Sequence, residues 1–178
     1  MNQLGRIHNF GAGPATLPLE VVEECQNSLP NRNASGFGLL EISHRSDTFQ
    51  KIIDSAMERL RRILSIPEDY TVLFLQGGAS LQFYMSALNL LKTGEKVDFL
   101  VTGAWSQKAM KEAMRIGDVS PRWDDSENGF TSIPKNGEYS IRDDAVYLHY
   151  TSNNTLYGTQ YHHLPENYGK PRVLDASS

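Results

Sequence analysis

The chain predicts an α/β fold with a mainly parallel sheet, and three observations carry that prediction. Short β-branched and aromatic runs recur as TVLFL (71–75), VDFLV (97–101), AVYLHY (145–150) and RVLD (172–175). Apolar residues at helical spacing alternate with them. Small-residue turns, Gly77-Gly78 and Thr102-Gly103, stand where strand gives way to helix. Strand and helix in alternation build a parallel sheet with helices on both faces, a three-layer arrangement. In such sheets ligands bind beyond the C-terminal ends of the strands.

Taken in order, residues 6–17 read as an ordered loop punctuated by Gly11-Ala12-Gly13-Pro14. Pro18 suits the first turn of a helix that carries Leu19, Val22 and Cys25 on one face and stops near Leu29. Residues 31–46 form a loop. Asp47 is then an N-cap with Gln50 three residues on, similar to a capping box. The long helix after it has Phe49, Ile52, Ile53, Ala56, Met57, Leu60, Ile63 and Leu64 as a core stripe. Residues 71–75 read as a buried strand, followed by Gln76-Gly77-Gly78-Ala79-Ser80 and a helix with Leu81, Tyr84, Leu88 and Leu91 on one face. Thr93-Gly94 is a C-cap and turn. The strand at 97–101 leads through Thr102-Gly103-Ala104-Trp105-Ser106 into a helix with Ala109, Met110, Ala113 and Met114 inward. Residues 119–123 read as a third strand. Residues 124–143 are polar and turn-rich. Thr151 to Gly158 is a polar loop at the end of the 145–150 strand.

Length and composition bound the function. At 178 residues the chain is about one domain, with room for a sizeable core. Lys and Arg number 17 against 21 Asp and Glu, a net charge of −4, and no basic tract favours nucleic acid. One cysteine, Cys25, makes no internal disulfide and no cysteine-rich metal site. No apolar run approaches the roughly 20 residues of a membrane span, and the N-terminal stretch has no signal-peptide core. The expectation is a soluble cytoplasmic protein without a metal, a nucleic-acid partner or a membrane.

The residues at the predicted strand ends form a chemical set. The first amides of a helix lack internal partners and carry partial positive charge, so Gly77 to Ser80 offers an anion cradle. Trp105 offers a flat aromatic face, Thr155 a hydroxyl and Asp175 a strand-end carboxylate. A planar heteroaromatic phosphate with a basic ring nitrogen matches this set. Pyridoxal 5′-phosphate (PLP) is such a molecule, and an Asp opposite its nitrogen keeps the ring an electron sink.

The motifs NFGAGPATLP near the start, EISHRS (41–46), LFLQGGASLQF, TGAWS (102–106), YLHYTSNNTLYGT (148–159) and VLDASS (173–178) occur in one order along the chain. Together they resemble the N-terminal half of the phosphoserine aminotransferases, fold-type I PLP enzymes of the class-V group. The resemblance implies that residues 1–178 are a partial PLP-binding large domain, with the rest of that domain and a C-terminal small domain absent. It implies that the amides of Ala79 and Ser80 bind the PLP phosphate, Trp105 stacks on the ring, Thr155 bonds its hydroxyl side and Asp175 pairs with the ring nitrogen. His44 and Arg45 fall in the anionic substrate site, which the family builds partly across a homodimer interface. Ala12 contributes a backbone N–H to a substrate carboxylate. The implied reaction moves an amino group between L-glutamate and 3-phosphohydroxypyruvate to give O-phospho-L-serine, in serine biosynthesis.

One departure stands out. The family needs a lysine that forms the Schiff base with the cofactor and shuttles a proton. It follows the strand-end Asp by some twenty residues, and this chain stops three residues after Asp175. Lys51, Lys92, Lys96, Lys108, Lys111, Lys135 and Lys170 all lie outside that motif. The chain is therefore expected to be a fragment without its nucleophile and inactive alone, with at most stray attachment of PLP at a lysine such as Lys170. Two other readings compete. One is a different fold-type I enzyme, such as an alanine–glyoxylate aminotransferase or a cysteine desulfurase relative. The other is a non-catalytic fragment that dimerises or binds phosphate.

Overall fold

The structure is a computed structural model that describes residues 5–178; residues 1–4, the start of the stretch read for a signal segment, lie outside it. The chain forms two compact units, Met1–Phe74 and Leu75–Ser178.

The N-terminal unit is helical. Helix α1 (Leu19–Ser28) starts behind Pro18, whose φ of −54° suits the N-cap it occupies. Its expected inner face is largely solvated: Val22 and Cys25 are exposed and Ser28 is the buried residue. Two short 3₁₀ turns follow, at Arg32–Ala34 and Leu39–Glu41. Helix α2 (Asp47–Leu64) has the expected length but a different cap. Ser46, not Asp47, is the N-cap, its Oγ accepting from the Phe49 amide at 3.2 Å. A serine hydroxyl one residue earlier reaches the orphan amide directly, and Gln50 turns away to bond Asp54. The stripe is not a closed core. Phe49 through Leu60 are half-buried, and Ile63 and Leu64 are exposed.

The run Thr71–Leu75 does not form a strand; Leu73, Phe74 and Leu75 are exposed. Apolar alternation favours an extended chain, but a strand exists only when a neighbour completes its ladder, and no strand pairs with this run among the described residues.

In the C-terminal unit, α3 (Gly78–Leu90), β1 (Lys96–Val101), α4 (Ala104–Ala113), β2 (Asp118–Asp124) and β3 (Ala145–Thr151) follow one another. A small antiparallel pair, β4 (Asn153–Asn154) with β5 (Thr159–Gln160), then precedes β6 (Arg172–Asp175). The main sheet runs β2-β1-β3-β6 with every pair parallel. Strand β1 is an inner strand, buried from Val97 to Val101 because both faces are covered. On one face Val97, Phe99, Val101 and Tyr147 meet Phe83 and Ala87 of α3 and Ala109 and Ala113 of α4. On the other, Leu100, Leu148 and Tyr150 meet Tyr139 and Tyr161, with Trp123, Ile133 and Ile141 at the margin. Within this unit, irregular segments cover that second face. Each fully buried Leu, Val or Phe here contributes about 1.5–3 kcal/mol.

Two helix faces differ from the periodicity. On α3 the residues turned inward are Phe83 and Ala87, whereas Leu81 and Leu88 are 40% and 48% exposed. On α4, Ala109 and Ala113 are buried but Met114 lies past the helix end and is exposed. The polar 124–143 stretch supplies a structural tie. Arg142 Nε donates to Asp98 Oδ1 at 2.7 Å, its backbone N–H to Asp98 Oδ2 at 2.7 Å, and its Nη1 to Asp118 Oδ2 at 3.0 Å. Asp98 is fully buried, so these bonds replace its lost hydration.

Candidate active site

The parallel register brings β1, β3 and β6 to a common C-terminal edge, and the turns leaving them build a groove. The turn after β1 is locked from two sides. The amides of Thr102 and Gly103 both donate to Ser106 Oγ, at 2.9 and 3.0 Å, and that hydroxyl donates to the Gly103 carbonyl at 2.8 Å. From the other side Thr159 Oγ1 donates to the Thr102 carbonyl at 2.6 Å, and Asn154 Nδ2 donates to Thr102 Oγ1 at 3.1 Å. Gly103 is required by close approach, since a Cβ there would run into the Asn154 side chain. The outcome is the placement of Trp105. Its Nε1–H donates to Thr155 Oγ1 at 3.1 Å, joining two residues fifty positions apart.

Helix α3 opens at this edge. Its N-cap, Gly77, has a φ of +93° that favours glycine, and no side chain caps the helix. The first amides, those of Gly78, Ala79 and Ser80, therefore stay available for an anion. Ser80 is met by Lys108 of α4, whose Nζ donates to Ser80 Oγ at 2.7 Å.

Strand β6 brings Asp175 opposite Thr151 of β3, with Val173 opposite His149. His149, Thr151, Val173 and Asp175 thus share one face of the sheet. Asp175 is half-buried, and its Oδ1 accepts from the Ser177 amide at 3.1 Å and the Ser177 hydroxyl at 2.6 Å. Its carbonyl accepts from the Ser152 amide at 2.9 Å. His149 is 3% exposed and stacks on Phe99 with ring centroids 4.5 Å apart. Burial pushes its pKa down to about 4, with the Asp175 carboxylate pulling the other way, so the imidazole is neutral at pH 7. Its Nδ1 and the Thr151 hydroxyl are buried without a protein partner. Buried polar atoms left unpaired are costly, and these two lie on the sheet face that carries the Asp175 carboxylate.

Two cavities meet here. One of about 310 Å³ is lined by Ala79, Phe83, His149, Val173, Asp175 and Ser177. The other, about 360 Å³, is lined by Gly77 to Ser80, Phe83, Trp105, Ser177 and Ser178. They share Ala79, Phe83 and Ser177. A cleft of about 410 Å³ in the N-terminal unit, lined by Glu24, Arg32, Lys51 and Arg59 among others, holds none of these unpaired groups and none of the predicted residues.

The strand-end groove fits PLP. It offers amides for a phosphate, an indole face, a hydroxyl and a carboxylate whose Oδ2 is left for a ring nitrogen. Ala79, Ser80 and Asp175 line the cavities with Trp105, which holds Thr155. Ala12, His44 and Arg45 belong to the N-terminal unit, and all three are exposed. The sequence reading missed His149, although a lone histidine in the apolar run AVYLHYT was its signal. It also missed Lys108 and the Ser106–Asn154 lock, which no local pattern announces.

The comparisons with known proteins bear on the family and the fold. The chain is 45% identical over 173 residues to the phosphoserine aminotransferase of Desulfotalea psychrophila, covering 97% of this chain and 48% of that protein. The solved phosphoserine aminotransferase from Bacillus circulans subsp. alkalophilus superposes with a TM-score of 0.90 at 40% identity, covering 95% of this chain and 47% of that one. The PLP-bound phosphoserine aminotransferase from Trichomonas vaginalis superposes with a TM-score of 0.86 at 33% identity, again over 95% and 47%. The chain spans about half the length of the curated relatives it matches. The profile of the aminotransferase class-V family matches residues 7–168, nearly the whole chain, and the protein belongs to that family.

Proposed function

We propose that this polypeptide is the N-terminal part of a PLP-dependent phosphoserine aminotransferase, which transfers an amino group between L-glutamate and 3-phosphohydroxypyruvate to give O-phospho-L-serine. The observation that carries the reading is the convergence of Ser80, Trp105 and Asp175 on one strand-end groove beside two unpaired buried polar atoms. When bound, the cofactor supplies an electron sink for the bonds at the substrate α-carbon. The chain's own residues hold and tune it. The amides of Ala79 and Ser80 bind the phosphate at the uncapped start of α3. Trp105 covers the ring, and its tilt is set by the bond to Thr155. Because Thr155 Oγ1 accepts from the indole, its own proton remains free to be donated to the ring hydroxyl. Ser177 fixes one carboxylate oxygen of Asp175, leaving Oδ2 to keep the ring nitrogen protonated.

The substrate is assigned to Ala12, His44 and Arg45, since both amino acids are anionic and a guanidinium forks onto carboxylate or phosphate. A homodimer with a shared site is part of the same reading. No lysine of this chain is assigned the covalent role. Among the described helices, none is long and apolar enough to cross a membrane.

The test is made in the full-length protein. Trp105→Ala should weaken PLP retention by about tenfold or more while the melting temperature of the cofactor-free protein changes little. Trp105→Phe should keep most of the affinity. Arg45→Ala should raise KM for phosphoserine roughly ten- to a hundredfold, the loss of a charge-assisted bond, with cofactor spectra unchanged. PLP affinity that is unmoved in Trp105→Ala returns the indole to a packing role and sinks the cofactor assignment.

A further inference from the structure

The phosphate cradle in the cofactor reading has amides but no assigned full charge. Its cavity lining, Gly77 to Ser80, Phe83, Trp105, Ser177 and Ser178, carries no ionisable side chain. No acidic residue lies in the first turn of α3 either. A phosphate ester carries nearly two negative charges at pH 7, and helix-end partial charge offsets only part of them. Among the described residues, one full charge touches the cradle: the Lys108 ammonium, 2.7 Å from Ser80 Oγ. Lys108 stands one turn along α4 from Trp105, so the two share a face of that helix. Lys96 and Lys170 are turned elsewhere, Lys96 to Asp144 and Lys170 to the Asp143 carbonyl. That the groove awaits a ligand is supported independently by the unpaired Nδ1 of His149, 3% exposed, in the adjoining cavity.

We propose that Lys108 is the cation of this phosphate cradle and acts through Ser80. The ammonium donates to a lone pair of the Ser80 hydroxyl. The hydroxyl then spends its own proton on a phosphate oxygen, and the charge behind it favours the dianionic ester. Lys108 is a positioning residue, one hydroxyl removed from the ligand. The assignment rests on the cofactor reading above.

The experiment compares PLP with pyridoxal, the same ring without phosphate, on full-length protein freed of cofactor. Lys108→Met should weaken PLP binding roughly three- to tenfold at low salt and leave pyridoxal binding unchanged. The ³¹P resonance of bound PLP should titrate at higher pH in Lys108→Met than in wild type, and Lys108→Arg should restore both properties. Equal loss for the two aldehydes, or an unmoved ³¹P titration with unmoved PLP affinity, overturns the role of Lys108. Wild-type protein that binds PLP no better than pyridoxal overturns the phosphate cradle itself, and the proposal with it.

Discussion

His149 shows how one residue couples fold and site. Its ring is stacked on Phe99 and shares a sheet face with Thr151 and Asp175, and Gln82 and Ser86 of α3 line the same cavity. Among the described residues, Asp175 is the only other ionisable side chain in that lining. Burial lowers the folded pKa to about 4 from the ordinary 6.5. The unfolded chain therefore takes up the proton first, and stability falls as pH drops below about 6.5 until it levels near 4. At pH 5 the loss relative to pH 8 should be about 2 kcal/mol from this residue. Urea denaturation at the two pH values measures it. His149→Phe should flatten the difference by that amount, and an unchanged pH dependence would mean the imidazole is not buried neutral.

Among the elements, the turn between β1 and α4 is the most constrained. Gly103 has an extended backbone, φ 167°, that any residue adopts, so its requirement is steric and not conformational. Gly103→Ala should destabilise the protein by about 1–3 kcal/mol through overpacking against Asn154. Asn154→Gly removes the whole obstructing side chain, its Cβ included, so the double variant should lose less than the sum of the two single losses. Strict additivity in that cycle would show that the two residues do not compete for space. The helices make a different point. Their existence follows from periodicity, but the inward arc of α3 is Phe83 and Ala87 because the packing surface over β1 selects it.

Across the whole molecule, the sheet is held at depth by Arg142. The residue lies in a stretch without regular pattern, yet it bonds Asp98, Asp118 and the Val97 carbonyl, and so ties β1 to β2 just ahead of β3. Arg142→Met leaves a fully buried Asp98 with Arg122 as its remaining ion partner, at 3.8 Å. Removing one partner of a buried pair costs about 3–5 kcal/mol. Chemical denaturation should show a loss of that size, while Lys96→Met, which breaks an exposed pair with Asp144, should cost less than about 1 kcal/mol.

The sequence by itself determined the α/β class, the parallel strands at 97–101, 119–123, 145–150 and 172–175, the glycine-led start of the helix that carries Ala79 and Ser80, and the strand ends at which Trp105, Thr155 and Asp175 stand. Each of these follows from local pattern, because side-chain period and turn chemistry act within a few residues. Tertiary structure alone decided what depends on partners far along the chain. It withheld a ladder from Thr71–Leu75 and left the α2 stripe half open. It paired Trp105 with Thr155 and Lys108 with Ser80, and it buried His149 beside Asp175. Burial and hydrogen-bond pairing are properties of neighbours in space, and a residue's neighbours in space are not written in its neighbours in sequence.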